Sequence, residues 1–123
     1  MQVNFCIMKL EIKYYQFENG RYPVKEYIDS FPEKTITKIF WTLELIESIE
    51  KVPKKFLKKI SKNVWEIRVQ FGNNTFRFLG FFDGKKIVIL NHAFTKKTQK
   101  TPKKEIKIAE SRREDYFRRK KNE

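Results

Sequence analysis

Residues 64–94 read VWEIRVQF, GNN, TFRFLGFF, DG, KKIVILNHAF, and this succession of apolar or alternating runs, cut twice by turn residues, constrains the fold more than any other part of the chain. Aromatic and β-branched residues at that density suit a pleated, half-buried surface. Gly72, Asn73 and Asn74, and then Asp83 and Gly84, are the residues that hairpin turns select. The segment is therefore predicted to form three sequential antiparallel strands, about 64–71, 75–82 and 86–93.

Such a sheet needs a cover, and the flanking segments supply it. From Pro32 to Glu50 the residues Ile36, Ile39, Phe40, Leu43, Ile46 and Ile49 recur at helical spacing, with Lys34, Lys38, Glu44 and Glu47 on the other side. Pro23 can open a short helix over PVKEYIDSF, since proline is harmless at the first helical position. EIKYYQF (11–17) reads as a first strand, followed by a turn at Glu18–Arg21. Pro53 ends the long helix, and PKKFLKKI reads as a lysine-rich connector with about two helical turns. Pro102 starts a last helix in which Ile106, Ala109 and Tyr116 make a thin apolar stripe. With 123 residues the chain is expected to be one α/β domain, 1–123, with an antiparallel sheet, two N-terminal helices and a C-terminal helix.

Turn positions predict a register. With Asn73 and Asn74 at the centre of the first turn, Phe71 opposes Phe76, Gln70 opposes Arg77 and Arg68 opposes Leu79. With Asp83 and Gly84 at the centre of the second, Arg77 opposes Leu90 and Thr75 opposes His92. One face then carries Trp65, Ile67, Val69, Phe76, Phe78, Ile87 and Ile89, the surface for helices to cover. The other carries Glu66, Arg68, Arg77, Leu79, Val88 and His92. A three-residue loop at either turn changes this parity.

Charge narrows the function. Twenty-eight Lys and Arg against fifteen Asp and Glu give a net charge of +13, beyond the roughly 2–8 units comfortable for a small domain. KVPKKFLKKISK (51–62) holds six lysines and no acid, and HAFTKKTQKTPKK (92–104) holds five lysines and no acid. Nucleic acid is the commonest polyanion to balance such a surface, ahead of an acidic protein and a membrane. One cysteine and one histidine point away from disulfides and from a cysteine-rich zinc site. No cofactor or metal is expected. The apolar runs fall short of the roughly 20 residues a bilayer span needs, and the first ten residues lack a signal-peptide pattern, so a cytoplasmic protein is expected.

VWEIRV, FRFLGFF and IVILNHAFTKKTQKTPKKEIKIAESRREDY together resemble the phage-derived HigB branch of the RelE/ParE toxin superfamily. The likeness is faint over residues 1–10, fair through YYQFENGRYPVKEYI and strong from Val64 to Tyr116. It implies a ribosome-dependent messenger RNA endoribonuclease belonging to a type II toxin–antitoxin pair. Its partners would be a HigA-like helix-turn-helix antitoxin and a ribosome carrying message. Carried over residue by residue, the likeness marks Arg68, Arg77, Lys96 and Lys97 as catalytic candidates, with Tyr116 as a looser match. The lysine-rich connector corresponds to Lys58, Lys59 and Lys62.

Metal-free RNA cleavage by the 2′-hydroxyl asks the protein to move protons and to hold extra charge on the phosphoryl oxygens. Arg77 and Arg68 suit the second task. His92 is one candidate for proton transfer, and Lys96 or Lys97, crowded by like charge, is the other. Lys54, Lys55, Lys58, Lys59, Lys62, Lys100, Lys103 and Lys104 are expected to grip the RNA backbone. Two further readings stand beside this one: a gyrase-directed, ParE-like toxin, and a basic RNA-binding module without catalysis.

Overall fold

In the computed structural model, which describes residues 9–95 and 100–123, the elements follow in the order β1 (Glu11–Tyr14), α1 (Pro23–Asp29), α2 (Glu33–Ser48), β2 (Leu57–Ser61), β3 (Val64–Phe71), β4 (Asn74–Asp83), β5 (Ile87–Thr95) and α3 (Lys103–Lys121). They form a small α/β domain. Its five strands lie in the order β1-β5-β4-β3-β2. All neighbours are antiparallel except β1 and β5, which run parallel. The sheet is therefore mixed, and the two N-terminal helices and the C-terminal helix flank it.

The two faces are covered differently. Val24 and Ile28 of α1 and Ile39, Leu43 and Ile46 of α2 pack on Ile67, Val69, Phe76, Phe78, Val88 and Leu90. Fully burying side chains of this size contributes about 1.5–3 kcal/mol each, so this layer carries most of the stability. The stripe predicted on α2 accounts for it. On the opposite face α3 lays Ala109 and Ile106 against Val64 and Leu79, and Tyr116 and Phe117 against Phe81 and Ile89.

β2 corrects the reading of PKKFLKKI as a partly helical connector. A turn closes from the Phe56 amide to the Pro53 carbonyl at 3.0 Å, and the chain then pairs Leu57 with Ile67 and Lys58 with Glu66. Pairing with the open edge of β3 outweighs local helix propensity, and exposed Lys58 and Lys59 blunt the new edge as charged residues commonly do. β1 is shorter than predicted, ending at Tyr14.

The register departs from expectation at both turns. Gly72, at φ 64°, and Asn73 form the first loop, because Phe71 pairs with Asn74. Glycine takes the left-handed first position that such a loop asks for. Pairing is therefore Arg68 with Arg77 and Glu66 with Leu79. The shift is two residues, so the faces of β3 and β4 are as predicted. At the second turn Asp83 pairs with Ile87, leaving a three-residue loop, Gly84 to Lys86. That reverses the parity of early β5: Val88 and Leu90 join the α1–α2 layer, while Ile87 and Ile89 turn to α3. The assignment of Ile87, Ile89 and Val88 is thus corrected. Between the Gly80–Leu90 and Leu79–His92 pairs the register shifts, and Asn91 is the extra residue of a β-bulge. The bulge restores the parity and returns His92 to the face of Arg77 and Arg68.

Candidate nucleic-acid interface

Arg68 and Arg77 are directly opposed on neighbouring strands, an arrangement that like charge would by itself oppose. Glu66, two residues before Arg68 on the same face, resolves it. Its Oε1 accepts a hydrogen bond from Arg68 Nε at 2.6 Å, and its Oε2 lies 3.6 Å from Arg77 Nη1. The Thr101 hydroxyl donates to the same Oε2 at 2.5 Å. Glu66 has no exposed surface and Arg77 is 3% exposed, whereas the Arg68 side chain is 30% exposed. Burial pulls the Arg77 guanidinium below its ordinary pKa, Glu66 opposes that shift and Arg68 adds to it. Arg77, placed by the sequence on the face opposite the α1–α2 layer, is consequently a buried member of an ion-paired cluster.

Outside this cluster a groove of about 380 Å³ opens between the β2 edge and the start of α3. It is lined by Lys58, Lys59 and Ile60 of β2, Arg68 of β3, Lys100 and Thr101 ahead of α3, and Lys103 and Ile106 of α3. Among the described residues, five cations and no carboxylate reach the lining. Ile60 and Ile106 give it an apolar floor, and Arg68 joins the groove to the buried cluster. Such a surface can hold consecutive phosphates while offering a base an apolar contact.

The other residues singled out from the sequence fall in different places. Lys54, Lys55, Lys62 and Lys104 are exposed but do not line the groove. Lys96 and Lys97 lie outside the described residues. His92 shares the sheet face, yet its Nε2 is 2.8 Å from Glu105 Oε1 of α3, and its ring stacks with Phe94 at 5.8 Å. Burial pushes its pKa down, partly offset by Glu105, with the Arg112 charge adding to the drop. Tyr116 is not brought to the arginines. It donates to Asp83 at 2.7 Å beside the β4–β5 loop, thirteen residues along α3 from Lys103, or about 20 Å at 1.5 Å per residue. Burial and then Asp83 push its phenol up to about 12.

Glu66 and Thr101 are the residues that sequence reasoning passed over. The Glu-x-Arg spacing put the Glu66 carboxylate on the same strand face as Arg68, and that was a usable signal. Thr101 gave none, because its role depends on where α3 starts in space. Among the described residues no three His, Cys, Asp or Glu side chains are grouped so as to share a metal ion, and no helix is long and apolar enough to cross a membrane.

No curated protein sequence matches the chain. The profile of one family, the phage derived protein Gp49-like family (DUF891), matches residues 26–114, from α1 through most of α3. The chain belongs to that family.

Proposed function

We propose that this Gp49-like protein is the toxin of a type II toxin–antitoxin pair and cleaves messenger RNA on the ribosome. The observation that carries the reading is the groove lined by Lys58, Lys59, Arg68, Lys100 and Lys103, with no acid among the described residues of its lining, backed by a guanidinium cluster fixed on a buried carboxylate. The likeness of Val64–Tyr116 to the HigB branch supports the same conclusion.

In the proposed reaction the RNA 2′-hydroxyl loses its proton and attacks the adjacent phosphorus. The bond from phosphorus to the 5′-oxygen breaks, and that oxygen takes a proton. A 2′,3′-cyclic phosphate and a free 5′-hydroxyl result. Extra negative charge gathers on the phosphoryl oxygens during attack, and a preorganised cationic groove stabilises that charge more than it stabilises the ground state. Arg68 is the group best placed to do so, since Glu66 fixes its Nε side. With His92 bonded to Glu105 and Tyr116 to Asp83, neither is assigned a proton transfer. A HigA-like antitoxin is the proposed inhibitor, and the cytoplasm the proposed compartment.

Translation of a defined message in a purified system, followed by primer extension, tests the reading. New 5′ ends within codons, absent when the same RNA is presented without ribosomes, are expected. Equal cutting of naked RNA contradicts the ribosome requirement. Stable ribosome binding with no cut in either arm makes the protein a binding module, and DNA breaks without RNA cleavage favour the gyrase reading.

A further inference from the structure

Two threonine hydroxyls bracket the lysine-bearing segment that joins β5 to α3. Thr95, at the end of β5, hydrogen-bonds the Tyr27 hydroxyl of α1. Thr101, one residue before the α3 N-cap Pro102, donates to Glu66. Thr101 is 8% exposed and Glu66 fully buried, so water does not compete for this bond. The same carboxylate receives Arg68 Nε through its other oxygen. One buried group therefore fixes the spacing between the two walls of the groove, Arg68 on β3 and Lys100 and Lys103 beside Thr101.

We infer that Glu66 and Thr101 form a positioning pair that sets the distance of Arg68 from the Lys100–Lys103 wall, and with it the seat of the reacting phosphate. The inference rests on the proposed nuclease reading. A group acting in this way affects geometry in the transition state more than encounter with RNA, and displacements of about 1 Å can cost about 10² in rate.

The test compares wild type with Thr101→Val, which keeps the shape and removes the hydroxyl, with Thr101→Ser, which restores it, and with Glu66→Gln. Single-turnover cleavage of ribosome-bound message and the affinity for that ribosome are measured on variants shown to be folded by circular dichroism. Thr101→Val is expected to lower the rate constant about tenfold or more with little change in affinity, and Thr101→Ser to recover most of it. A purely structural role would lower the melting temperature and leave the rate per folded molecule unchanged. In parallel, the Arg68 Nε–H NMR signal is followed as inorganic phosphate is added. Wild type is expected to show a protected signal that shifts with phosphate, and Thr101→Val and Glu66→Gln to lose that response. If wild type does not cleave, the nuclease reading fails and the NMR arm alone decides the positioning pair. Folded Thr101→Val with wild-type rate and wild-type Arg68 signal overturns the inference.

Discussion

Replacing Arg77 by alanine removes one of the two guanidiniums that face Glu66, and Glu66 has no solvent to turn to. Breaking a buried ion pair from one side costs about 3–5 kcal/mol. Arg68 and Thr101 remain bonded to Glu66, so Arg77→Ala is expected to cost about 3 kcal/mol in urea unfolding. An unchanged midpoint would show that the cluster tolerates one guanidinium. That Arg77 shares a sheet face with Arg68 was legible in the sequence, but its burial was not, because burial depends on Thr101 and α3 closing over β4. His92 offers a second residue-scale check. Its folded pKa lies below its ordinary value, so the unfolded chain binds the proton more readily. The associated stability is complete above the ordinary pKa of about 6.5 and is lost as pH falls from there through the lowered folded value. Glu105 and Arg112 face the ring, so a His92→Gln variant should flatten this slope in denaturation measured from pH 7.5 to 5. An equal slope in both proteins would place the titration elsewhere.

Among the elements, β4 and β5 show how a close approach fixes a bulge. A Cβ built on Gly80 would lie 2.3 Å from the Ile89 carbonyl oxygen, inside van der Waals contact with backbone that cannot swing away. Gly80→Ala must therefore open the β4–β5 pairing beside Asn91, and a loss of several kcal/mol or failure to fold is expected, on the upper end of single-substitution effects. Wild-type stability in that variant would mean that the bulge is not fixed by this contact. The α3 helix is anchored at its far end by Tyr116 and Lys120, both bonded to Asp83. Tyr116→Phe should cost about 1 kcal/mol, the worth of one hydrogen bond. At this scale most of the architecture was readable: β3, β4, β5 and all three helices follow from period and turn chemistry. β2 was missed because its lysines gave no strand signal, and only pairing with β3 makes it one. The three-residue loop and the bulge escaped for the same reason, since neither changes the local pattern of apolar residues. Their effects on parity cancel at His92, so that residue was placed on the correct face through an incorrect register.

Across the whole molecule the net charge of +13 is concentrated by the fold more than the sequence suggested. Lysines from residues 58–59 and 100–103, far apart in the chain, meet on opposite walls of one groove. Several phosphate contacts would make binding steeply salt-dependent, with the slope falling by about one for each groove lysine removed. Lys54, Lys55 and Lys62, in the turns either side of β2, and Lys104 in the first turn of α3 are equally visible in the sequence but are not among the groove-lining residues. The claim with most riding on it is that Arg68, in the lining of this groove, stabilises the reacting phosphate. Its direct test is single-turnover cleavage of ribosome-bound message by wild type, Arg68→Ala, Arg68→Lys, His92→Gln and Tyr116→Phe, each confirmed as folded. Arg68→Ala is expected to lose about 10²–10³ in rate, Arg68→Lys to recover part of it, and the His92 and Tyr116 variants to cleave at nearly the wild-type rate. A folded Arg68→Ala protein that cleaves like wild type would contradict the account.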